Sequence, residues 1–192
     1  AVSFIGGGGT PPTLGPVSIG PVASGGLTKV GLGTLTLSGA NTYSGATVIS
    51  NGTIKLGAAA ALPTNSPIVI AGGTLDLNGY TLTNATINLI SGSVVNGKLF
   101  APALQGADSG VIQAQLVSTN GLVKEGSGTL IVSAAVTYPG DTVISGGTVK
   151  LSARQPGLYE GRVAGAFELN AANPKTATPL STRYANLWFV DT

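Results

Sequence analysis

Two stretches of this chain repeat each other. Residues 26–57 read GLTKVGLGTLTLSGANTYSGATVISNGTIKLG, and residues 121–152 read GLVKEGSGTLIVSAAVTYPGDTVISGGTVKLS. They align without gaps at an offset of 95, with more than half of the 32 positions identical. Lys29/Lys124, Tyr43/Tyr138 and Lys55/Lys150 stay in register, which chance similarity between two Gly- and Thr-rich segments would not preserve. A repeat of this kind restricts the fold to arrays whose units bury their apolar faces on one another.

A shorter period lies inside the long one. Gly33 (GTLTL), Gly52 (GTIKL), Gly73 (GTLDL), Gly92 (GSVVN), Gly110 (GVIQA), Gly128 (GTLIV) and Gly147 (GTVKL) follow at steps of 19, 21, 19, 18, 18 and 19 residues. Each glycine opens a short segment with apolar residues at alternate positions, the pattern of a strand with one buried face. One such strand has nothing to bury that face against. Stacking successive turns at the inter-strand spacing of about 4.8 Å joins the faces into one core. The expected fold is therefore all-β: a right-handed parallel β-solenoid of about seven coils, a rod roughly 35 Å long by that spacing. The pairs Asn51-Gly52, Gly72-Gly73, Asn78-Gly79, Asn96-Gly97, Asn120-Gly121 and Gly146-Gly147 fall where corners are needed, and Gly supplies positive φ there at little steric cost. A hairpin reading fits each Asn-Gly pair locally, but not a constant period near twenty.

The segment GTLTLSGANTYSGATVISNGTIKLG resembles the passenger-associated transport repeat, also called the autotransporter-associated β-strand repeat. The match is close at Gly33 to Leu37, at Asn41-Thr42-Tyr43-Ser44-Gly45 and at Thr47 to Leu56. The second copy departs from it at Val136 and Pro139, where the first has Asn41 and Ser44. The resemblance covers 26–57 and 121–152 well and 66–99 loosely. It implies a parallel β-helix exposed on, or secreted from, a Gram-negative-type bacterium, and a repeat linked to passenger secretion and long stalks. It implies no catalytic residues.

Composition excludes several chemistries. Nine Lys+Arg against seven Asp+Glu leave a formal net charge of +2, without the dense basic stripe of a nucleic-acid binder. Cys, Met and His are absent. That removes disulfides, thiol nucleophiles and zinc–sulfur sites, together with the commonest general base and metal ligand. No metal, no cofactor, no nucleic-acid partner and no membrane insertion of this segment are expected, since no apolar run reaches about 18 residues. The chain begins at Ala1 without a basic-then-apolar leader. That fits either a mature chain whose signal peptide was removed or a fragment.

Three segments differ in texture. Residues 1–25 pair the apolar AVSFI with GGGG and four prolines, a short strand on a Gly/Pro-rich linker. That strand reads either as the solenoid's first capping strand or as a donor strand for a neighbouring subunit. Residues 26–152 form the solenoid, with 58–67 expected as an outward loop or short helical turn and 100–108 as a second interruption. Residues 153–192 hold all three arginines and five of the ten aromatics. They read as a cap over the last coil or as an assembly surface.

Seven carboxylates are available: Asp76, Asp108, Glu125, Asp141, Glu160, Glu168 and Asp191. A glycosidase needs at least two of them flanking a cleft. Asp76 instead occupies an outward strand position, one coil from Lys55, and reads as one half of an exposed ion pair. Lys29/Lys124 and Lys55/Lys150 are expected on the solvated face, and Tyr43/Tyr138 in a corner. The expected function is an extracellular structural protein, not an enzyme. The first reading is a subunit of a self-assembling surface filament, a homopolymer joined end to end through Ala1, Val2, Phe4 and Ile5 and through Tyr184, Leu187, Trp188 and Phe189. The alternative is a stalk or passenger fragment of an autotransporter-like adhesin, with surface glycans as possible partners. A carbohydrate-active β-helix enzyme comes third.

Overall fold

The computed structural model of the 192-residue chain describes residues 2–6, 13–14, 25–83, 86–101, 104–118, 121–134, 136–137, 141–151, 167–170, 178–179 and 188–189. Among the described residues every regular element is a strand. The strands stack in parallel, turn over turn, into a β-solenoid.

The first side of the stack runs through Val2–Gly6, Leu27–Gly31, Thr47–Ile49, the opening halves of Ile68–Asp76 and Ile87–Val95, then Leu104–Ala107, Gly121–Lys124 and Asp141–Ile144. The second side runs through Thr13–Leu14, Thr34–Leu37, Thr53–Leu56, the closing halves of the same two long strands, Gly110–Ile112, Thr129–Val132 and Thr148–Leu151. The third side holds Thr81–Thr83, Lys98–Ala101, Gln115–Ser118 and Val136–Thr137. The solenoid has about five turns where the glycine spacing predicted about seven, a small difference. Both end turns include residues outside those described.

Alternation builds the core. Leu35, Ile54, Leu75, Val94, Ile112 and Val132 lie in register on the second side, all but fully buried. Leu82, Leu99 and Leu116 do the same on the third. Burying each such side chain contributes about 1.5–3 kcal/mol, and each column is completed only by the turns above and below it.

The two expected interruptions take different forms. Within 100–108, Lys98–Ala101 and Leu104–Ala107 are strands of the third and first sides, with a register shift between Leu104 and Ala107. Residues 58–67 form a run of turns and bends, one of them closed by Ala61 N donating to Ala58 O, that carries Ala61 and Leu62 into the core.

The third side also explains why the two repeat copies diverge. In the first copy it is a loop, tied to the next turn by the buried Asn41, whose Nδ2 donates to Ala61 O at 2.7 Å and to Gly39 O at 3.1 Å. Ser66 Oγ donates to Gly45 O alongside. In the second copy the position of Asn41 is Val136, which pairs with Leu116 in the strand Val136–Thr137. A β-branched residue suits that strand, whereas the loop needs a buried amide.

Beyond the repeats, Val2–Gly6 lies parallel to Leu27–Gly31, from Val2 opposite Leu27 to Gly6 opposite Gly31. At the other end, Phe167–Asn170 runs antiparallel along Thr148–Leu151 and covers that edge.

Candidate functional site

The chemistry-bearing side chains gather at the corners. Lys29 and Lys124, expected on the solvated face, are 1% and 0% exposed, and this corrects that reading. Each occupies the last inward position of its first-side strand, in register with Ile49 and Ile144 respectively. The long stem replaces an aliphatic side chain, and the head reaches the turn into the second side.

There the ammonium meets main-chain carbonyls. Lys29 Nζ donates to Val30 O at 3.0 Å, to Gly31 O at 2.6 Å and, one turn on, to Asn51 O at 3.3 Å. Lys124 Nζ repeats the pattern with Glu125 O at 2.5 Å, Gly126 O at 3.0 Å and Gly146 O at 3.2 Å. Three acceptors call for three N–H donors, which only the charged ammonium supplies. Burial pulls both ammonium groups below the usual lysine value, and for Lys124 the attraction of Asp108 opposes that shift. Alternation alone marks these lysines as inward, since Leu27 and Lys29 lie two residues apart on one face. That signal was outweighed by the general rule that lysines stay in water.

Glycine makes the cage possible. Gly52 has φ +66°, and a Cβ there would lie 2.5 Å from Lys29 Nζ. Gly147 has φ +64°, and its Cβ would lie 2.7 Å from Lys124 Nζ. A side chain at either position is both conformationally strained and in the ammonium's way.

The remaining polar groups hold turns. Asp76 is opposite Lys55 in register, but its Oδ1 accepts from Asn78 N at 2.9 Å and Asn96 Nδ2 at 3.1 Å. Asn78 and Asn96 carry positive φ, 49° and 57°, as corner residues. Asp108 Oδ1 accepts from Gly128 N at 2.9 Å. Tyr43 is buried at a corner as expected, and its hydroxyl lies 2.6 Å from the Oγ1 of the buried Thr47. Burial, partly offset by that hydrogen bond, pushes the Tyr43 phenol up to about 12. Glu125 is exposed. Asp141 and Glu168 are strand residues opposite Gly121 and Lys150. Glu160, Asp191 and Tyr138 lie outside the described residues, and no cluster of three metal-ligating side chains occurs among those described. Among the described residues no helix is long and apolar enough to cross a membrane.

Of the expected assembly residues, Val2, Phe4 and Ile5 belong to the strand beside Leu27–Gly31. Trp188 and Phe189 belong to a separate two-stranded sheet with Thr178–Pro179. Ala1, Tyr184 and Leu187 lie outside the described residues.

The passenger-associated transport repeat family matches residues 27–56 and 122–151, and each span holds one caged lysine and the glycine against it. A relative is the Adhesin BmaC autotransporter of Brucella suis biovar 1 (strain 1330), 31% identical over 136 residues. The match covers 67% of this chain and 4% of that protein, so this chain spans a small fraction of its relative's length. No solved structure matches. The chain carries two copies of the passenger-associated transport repeat and belongs to that repeat family.

Proposed function

We propose that this chain is a stalk segment of an autotransporter-like surface passenger: a stiff spacer, exposed at the bacterial surface, that holds a binding region away from the cell. The observation that carries this is the pair of passenger-associated transport repeats, stacked in register within one parallel solenoid. The similarity to a protein named as an autotransporter adhesin supports it. A stack in which each turn adds a fixed rise of about 4.8 Å sets length by the number of turns. Many of the described polar side chains hold corners, Lys29, Asp76, Asp108 and Lys124 among them, which suits a spacer rather than a reaction centre.

The comparisons favour this reading over a self-assembling filament. The outer edge of Thr148–Leu151, the last strand of the second side, already pairs with Phe167–Asn170. Adhesion, with host-surface glycans as candidate ligands, then belongs to other parts of a longer polypeptide. The test is exchange within that polypeptide. Replacing this segment with an unrelated solenoid of equal turn number should preserve adhesion, and a short flexible linker should reduce it. The reading fails if the isolated chain binds cells or glycans as well as the whole protein does, or if it polymerises into fibres under the electron microscope.

A further inference from the structure

Among the described residues, corners between the first and second sides are of two kinds. Four are tight, turning at Gly31 (φ 76°), Gly52 (φ 66°), Gly126 (φ 67°) and Gly147 (φ 64°). Three are wide, at Gly72 (φ 127°), Gly92 (φ 103°) and Gly110 (φ 135°). At two wide corners the chain passes as one unbroken strand, Ile68–Asp76 and Ile87–Val95. The tight corners come in successive pairs, one pair in each repeat copy.

What fills the core beneath a corner follows the pairing. Lys29 lies between the tight corners at Gly31 and Gly52, and Lys124 between those at Gly126 and Gly147. Wherever the next corner is wide, the side chain there is aliphatic. A Cβ on Gly73 would meet Ile49 Cγ2 at 2.5 Å, one on Gly92 would meet Ile70 Cγ2 at 3.1 Å, and one on Gly110 would meet Leu89 Cδ2 at 3.3 Å. Isoleucine and leucine thus fill the space equally well. The lysines answer a different need: two tight corners in succession turn three main-chain carbonyls onto one point. Buried carbonyls without a donor are unfavourable.

We propose that two successive tight corners form a main-chain cation site for a monovalent ion of ammonium size, filled in this chain by the tethered ammonium of Lys29 or Lys124. When the lysine is cut back to alanine, the same carbonyls take free ammonium from solution. This holds whether or not the chain serves as a stalk.

The test uses the full chain with Lys29→Ala and Lys124→Ala, melted at pH 7 in ammonium chloride or in tetramethylammonium chloride at equal ionic strength. The alanine variants should melt lower than the parent and recover about 3–6 °C, saturably, in ammonium alone. The parent, whose sites are occupied by its own ammonium groups, should show no difference between the salts. If an alanine variant does not fold unaided, it should refold in ammonium chloride and not in tetramethylammonium chloride. Equal responses to both salts, an equal ammonium response in the parent, or failure to refold in ammonium would each overturn the proposal.

Discussion

Gly52 and Gly79 both sit at positive φ, 66° and 83°, so alanine suffers the same backbone penalty at either. That penalty is about 1–2 kcal/mol for a non-glycine residue in the left-handed region. The surroundings differ. Nothing lies within 4 Å of a Cβ on Gly79. A Cβ on Gly52 would fall on Gly31 O and would lie 2.5 Å from both Gly33 O and Lys29 Nζ. Two of those three atoms are backbone and cannot swing aside. Overpacking adds about 1–3 kcal/mol, and displacing the ammonium from its carbonyls forfeits part of a charged hydrogen-bond set of about 1.5–3 kcal/mol. Gly79→Ala should therefore destabilise by about 1–2 kcal/mol and Gly52→Ala by about 3–5 kcal/mol. Urea titrations followed by far-UV circular dichroism, with equal slopes in both variants, give the difference directly. Equal losses would refute the caged-lysine account of this corner, because they would leave only the backbone term.

Alkaline pH separates the buried titrating groups by sign. The lysines are depressed below 10.5, so the folded state releases their protons first and stability rises with pH up to about 10.5. Replacing both Lys29 and Lys124 by Met should flatten that rise in urea midpoints measured from pH 8 to 10. Tyr43, raised from 10 to about 12, acts in the opposite direction: stability falls as pH climbs from 10 through 12. Tyr43→Phe should remove this fall and, by leaving Thr47 Oγ1 without its partner, cost about 1–3 kcal/mol at pH 7. Asn41→Ala, which leaves Ala61 O without its 2.7 Å donor, should cost about 1–3 kcal/mol. Thermal melts of this variant beside the parent check that loss.

Much of the solenoid was legible because its signals are redundant. GTLTL, GTIKL, GTLDL and GTLIV each state the period-2 face, and the spacing of their glycines states the turn. The same alternation places Lys29 beside Leu27 on the inward face, whereas its charge points to solvent. What restores the lysine to the core is three carbonyls from two turns, an arrangement that exists only once the chain is stacked. The wide corners were equally hidden: a glycine at φ 127° and one at φ 66° are the same letter. Residues 100–108 read as an interruption because Pro102 and the missing Gly-Thr opening hide two strands, one of them with a register shift. Asn41 and Val136 show the limit from the other side. Their difference marked a departure between copies, but only the third side's change from loop to strand gives it meaning.

The central claim is a stack that advances by one strand spacing per turn. The chain has no native cysteine, so spin labels can be placed at will along one register path. Thr34, Thr53, Thr74, Ser93, Val111 and Ile131 follow one another as Cα partners up the second side. Double electron–electron resonance between a label at residue 34 and a second at residue 111 or 131 spans four or five steps. At about 4.8 Å per step the distances should be about 19 and 24 Å, increasing linearly with turn number. Distances that fail to grow with turn number, or that spread over tens of ångströms, would contradict a parallel solenoid.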